Sequence, residues 1–114
     1  MILQSPFDRD PKYVVVCVIN RTDVPVAGEF GWGDNTWEPF RIDAEREKAF
    51  WWEYRDGTEQ APPFKVSYDR DIGPGASRER SRLETYRVEN NDCDSGKQYI
   101  FRPSNGNFIK IYKR

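Results

Sequence analysis

The sequence predicts an all-β domain: an antiparallel two-sheet β-sandwich of about eight short strands with little helix, a small β-barrel being the second choice. Three observations carry this expectation. Large apolar residues alternate with polar ones at period two along most of the chain. Turn-forming residues interrupt that alternation at short intervals, and the spacing of an amphipathic helix is almost missing.

"YVVVCVIN" (13–20) is β-branched at successive positions and reads as a central strand buried on both faces. "VAGEFGW" (26–32) and "TWEPFRI" (36–42) flank Gly33-Asp34-Asn35 as a hairpin. Pro39 has no N–H to give a ladder, which makes its strand an edge. "IDAEREKAF" (42–50) is the only stretch of helical composition, enough for one or two turns. "AFWWEY" (49–54), "FKVSYDR" (64–70) and "RLETYRV" (82–88) return to alternation. "KQYIFR" (97–102) and "NFIKIYK" (107–113) surround Asn105-Gly106, the strongest short hairpin signal in the chain. Asp56-Gly57, Pro62-Pro63 and Gly73-Pro74-Gly75 break the pattern between strands. Residues 1–12 read as an N-terminal extension and 13–114 as a single domain. The core set is Val14, Val16, Val18, Phe40, Val66, Tyr68, Leu83, Ile100 and Ile109.

Hydrophobic residues make up 37 % of the 114 and charged residues 32 %, a thin apolar supply that 17 aromatics offset through the large area each buries. A net charge of −1 gives no global field to gather nucleic acid, so no nucleic-acid partner is expected. No apolar run reaches the ~18 residues that suggest a membrane span. "MILQSPFDRDPKY" lacks the basic start and apolar stretch of a secretory signal, so the protein is cytoplasmic or begins after a removed signal. Cys17 and Cys93 permit one disulfide without requiring it, and Cys17 is expected to be buried either way. Asn20-Arg21-Thr22 is a glycosylation sequon, meaningful in a secreted eukaryotic protein.

Histidine is absent, which removes Ser-His-Asp and Cys-His catalysis and the ordinary zinc sites. No glycine-rich phosphate cradle is encoded. Nineteen acids always supply a carboxylate pair, so a small glycosidase-like enzyme stays only as a third reading.

If successive strands alternate in direction, the connections 33–35, 55–63 and 89–96 gather at one end of the sandwich. Those at 21–25, 43–48, 71–79 and 103–106 gather at the other. The first end collects Asp34, Asn35, Asp56, Asn90, Asn91, Asp92 and Asp94, with Trp32 and Trp37 just behind. Sugar sites and hard-cation sites both need such convergent oxygens and amides. The candidate ligand-binding residues are therefore Trp32, Trp37, Asp34, Asn35, Asp56 and Asn91. Asp92 and Asp94 are candidate calcium ligands, although "DCDSG" and "DRDIG" (69–73) lack the third ligand and the bidentate Glu of a calcium loop. Turns also use Asp, Asn and Gly for their own sake.

A two-residue loop at Asp34-Asn35 sets Trp32 opposite Trp37 and Phe30 opposite Pro39. Ala27, Glu29, Glu38, Phe40 and Ile42 then share the other face, and both faces carry apolar side chains that want burial. Trp37, on the edge strand, is the easier of the two to reach. Trp51 and Trp52 point to opposite faces, so at least one lies outside the core or under a loop. "SRERSR" (77–82), if extended, lines Arg78, Arg80 and Arg82 on one side. They could hold carboxylates, sulfates or phosphates, and they equally suit a charge-warded edge strand. The leading functional reading is a non-catalytic carbohydrate-binding or lectin-like module using exposed Trp and Asp/Asn loops. The alternative is a protein-interaction module using an aromatic face or a strand edge.

Overall fold

The structure is a computed structural model that describes residues 13–34, 36–54, 62–71, 78–83, 85, 87–88, 90–104, 106 and 108–114. It is all-β, with two packed sheets and no helix among the described residues. Nine strands follow in order: β1 Tyr13–Asn20, β2 Val26–Trp32, β3 Glu38–Ile42, β4 Glu47–Glu53, β5 Phe64–Asp69, β6 Arg78–Leu83, β7 Arg87–Val88, β8 Lys97–Pro103 and β9 Ile109–Lys113. The first sheet has the order β4-β1-β8-β9, with the two-residue β7 also on β1. The second has the order β3-β2-β5-β6.

The stretch 42–50 is not helical. Residues 44–45 make a turn, with Glu45 at φ 60°, and the rest enters β4. Its helix-forming residues lose to strand pairing, because β4 lies along β1 from Tyr13↔Glu53 to Ile19↔Glu47. The sandwich is also not wholly antiparallel. β8 runs parallel to β1, pairing Val16↔Lys97 through Asn20↔Phe101. The chain leaves the second sheet after β6, touches β1 as antiparallel β7 (Tyr13↔Val88), and reverses through residues 90–96 before β8.

The core lies between the sheets. Val14, Val16 and Val18 of β1 meet Phe40, Ile42, Phe64, Val66, Tyr68, Leu83, Phe101 and Ile109 there. Phe30, Trp32, Phe40, Phe50 and Phe64 form a linked aromatic group, with Phe30–Phe50 centroids 4.6 Å apart and Trp32–Phe64 4.7 Å. Edge-on and tilted contacts of this kind suit the ring quadrupole. Tyr68 packs on Phe101, and its hydroxyl accepts the Ile111 N–H at 3.3 Å. Burial holds the Tyr68 phenol above the ordinary tyrosine value, against that hydrogen bond. Ile100, expected in this core, is buried elsewhere. It joins Cys17, Ile19 and Cys93 on the far side of the first sheet, so β1 is covered on both faces.

The β2–β3 register corrects the sequence reading by one residue. Phe30 pairs with Glu38 and Gly28 with Phe40, one residue short of the expected Phe30–Pro39 alignment. A one-residue slip moves a whole strand's side chains to the other face. It sets Val26, Phe40 and Ile42 together in the core with Trp32 and partly buried Phe30, and leaves Trp37 and Pro39 outside. The longer connection that allows this turns at Gly33, φ 58°, whose N–H donates to Pro63 O at 2.7 Å. Pro39 does lie on an edge strand.

Candidate functional site

The predicted site residues fall into three layers. Trp32 is 7 % exposed and packs on Phe64, so most of its indole belongs to the core. Trp37 lies half-buried on the outer face of the second sheet, with Lys65 Nζ 4.6 Å from its ring centroid. Asn91, Asp92 and Asp94 are exposed on the loop that covers the opposite face, that of the first sheet. Asp34 is exposed at the hairpin turn, and Asn35 and Asp56 lie outside the described residues.

A disulfide explains the placement of the acidic loop. Cys17 points away from the core and is bonded to Cys93, 76 residues on, with Cα atoms 4.8 Å apart. Asp92 Oδ1 accepts the Ser95 N–H at 2.9 Å, closing a turn within the loop, and Gln98 Nε2 donates to Cys93 O at 3.0 Å. The D-x-D rhythm here shapes a turn that carries a cysteine. Cys17, Glu47 and Cys93 bring three potential ligand atoms within 4.8 Å, and Asp92 and Asp94 belong to no such group among the described residues. Sulfurs bonded to each other are not thiolates, so the three do not make a metal-binding set in this form.

The sequon is structural as well. Asn20 is fully buried; its Nδ2 donates to Val24 O (2.8 Å) and Ile42 O (2.9 Å), and its Oδ1 accepts from Thr22 N (3.0 Å) and Thr22 Oγ1 (2.7 Å). Asn20 and Thr22 thus tie the β1–β2 connection to the end of β3. The amide that would carry a sugar is occupied.

The concave site lies where the two sheets open along one side. β3 leaves β2 at Phe30↔Glu38, so Gly31 and Trp32 have no β3 partner. Edge strand β4 faces this gap from the first sheet. The result is a cleft of about 600 Å³ lined by Phe30, Trp32, Phe50, Trp51 and Trp52, with Thr36, Glu38 and Lys48 supplying polar groups. Trp51 is 51 % exposed, the most open of the large apolar side chains among the described residues. Trp52 Nε1 is buried with no acceptor among those residues, an arrangement that costs about 1–3 kcal/mol. The sequence marked Trp51-Trp52 as a pair of which one must leave the core. It gave no sign that the early departure of β3 would open a cleft beside them.

Comparison with protein-family models, with curated proteins and with solved structures yields no match to this chain.

Proposed function

We propose that the domain is a non-catalytic carbohydrate-binding module whose site is the cleft between β3 and β4, taking a neutral mono- or disaccharide. The observation that carries this is the lining of the cleft: indole and phenyl surface below, and one hydroxyl, one carboxylate and one ammonium (Thr36, Glu38, Lys48) around it. Sugar rings offer apolar faces to indoles and hydroxyls to such donors and acceptors. The volume lies within the ~300–1,000 Å³ of small-ligand sites. Glu38 and Lys48 balance in charge, which favours a neutral ligand. The site moves away from the Asp/Asn loops to the opening between the sheets, where Trp52 supplies indole surface.

Titration with a panel of neutral mono- and disaccharides, followed by tryptophan emission, tests the reading. A saturable change is expected with at least one sugar, weakened about tenfold or more in Glu38→Ala/Lys48→Ala and kept in Trp37→Ala. A silent panel, or a Glu38→Ala/Lys48→Ala variant that binds normally, would overturn it. The protein-partner reading rests on β4 being an edge strand with Trp51 open beside it, a place where an extended segment could add as a further strand.

A further inference from the structure

We infer that the outer face of the second sheet is a separate binding surface for a sulfated polysaccharide, held by Lys65, Arg80 and Arg82. Strand register builds this face in rows. One row runs Gly31, Lys65, Arg82; the next Pro39, Glu29, Ser67, Arg80; beyond them Arg41 stands opposite Ala27 and Asp69 opposite Arg78. Trp37 stands at the β3 end of the first row, with Lys65 Nζ 4.6 Å and Arg80 Cζ 5.7 Å from its ring centroid. Gly31, in the strand between, has no side chain to part Trp37 from Lys65.

The charge arrangement is the anomaly. Directly opposed side chains on paired strands have Cβ atoms about 4.5–5.5 Å apart, and like charges there are destabilising. Lys65 and Arg82 are such a pair. The acids do not relieve them. Glu29 is taken by Arg78 at 2.9 Å, and Arg41 is paired with Asp43 at 3.1 Å, so Lys65, Arg80 and Arg82 have no ion pair among the described residues. In a chain of net charge −1, three cations on one sheet face without an ion pair among the described residues are a local concentration that the sequence as a whole does not supply.

A ligand with anions at regular spacing answers that geometry, since guanidinium groups bind sulfates through paired N–H donors. Trp37 orients two of the cations by attraction to its ring and is a positioning residue. The disulfide selects the class of polyanion. Disulfides persist in oxidising, extracytoplasmic surroundings, where sulfated polysaccharides are met and nucleic acids are not the usual partner.

Heparin serves as the probe, measured by calorimetry at low and moderate salt. The wild-type chain is expected to bind, with affinity falling as salt rises. Lys65→Gln/Arg80→Gln/Arg82→Gln should weaken binding by about tenfold or more, and Arg82→Gln alone by less. Glu29→Gln, which frees Arg78, should strengthen it. Glu38→Ala/Lys48→Ala, which keeps the net charge, should leave heparin binding unchanged, so this surface can fail while the cleft stands, or the reverse. Equal heparin affinity in the triple variant would overturn the inference. So would equal affinity for desulfated heparin, or tighter binding of a single-stranded oligonucleotide of matched charge.

Discussion

On the first sheet, the face turned from the core carries Cys17, Ile19 and Ile100 and is shut by residues 90–96 through a covalent bond. On the second sheet, the corresponding face carries Lys65, Arg80 and Arg82 beside Trp37, with no covering segment among the described residues. The same strand alternation produced both. Where the outward positions of β1 and β8 are apolar, a loop covers them; where those of β5 and β6 are charged, none is needed and the surface stays available. The closed face gives the fold stability, whereas the open one keeps an unfavourable charge arrangement that the fold does not require.

The largest effect should come from breaking the closed face. Removing the disulfide by Cys17→Ala/Cys93→Ala should cost about 2–5 kcal/mol, since the bond closes a loop of 76 residues in the unfolded chain. Denaturant midpoints with and without reductant measure it, and a wild-type midpoint insensitive to reductant would mean that packing alone holds the loop. Next comes Gly96→Ala. A Cβ there would stand 2.7 Å from both Val15 Cγ1 and Val15 O, so overpacking should cost about 1–3 kcal/mol. A neutral result would show that the loop can lift from β1. The smallest change should have the opposite sign. Arg82→Glu on the open face replaces a like-charge pair with an attractive one opposite Lys65 and should stabilise by about 0.2–1 kcal/mol. A loss of stability would mean that the cations already have a structural use, and the contrast between the faces would fail.

Much of this architecture was legible in the sequence. The run "YVVVCVIN" gave a strand covered on both sides, Pro39 gave an edge, and the alternation in 64–69 gave Val66 and Tyr68 as core. What was not legible depended on register or on contacts distant in sequence. Trp32 and Trp37 look like one cross-strand pair on a shared face until a single residue of slip separates them into core and surface. The helix-forming residues before β4 carried no mark of the long pairing with β1 that overrides them. Asp92 and Asp94 read as ligands because a turn that presents a cysteine uses the same residues as one that presents oxygen. The cleft had no local signal, since it arises where β3 stops short of β2's end.

The disulfide also governs how the chain carries load. Tension applied at the two ends cannot reach the stretch between Cys17 and Cys93 while the bond is intact, because that stretch is bypassed. Residues 18–92, 75 of the 114, are thereby shielded and 39 can lengthen. At about 3.5 Å per residue the oxidised chain has a reach of about 140 Å, and the reduced chain about 400 Å. Both β2–β3 and β5–β6, which carry the open basic face, lie inside the shielded stretch. A pull from either end is borne by β1's first residues, β8 and β9, and the strands of the basic face lie outside its covalent path.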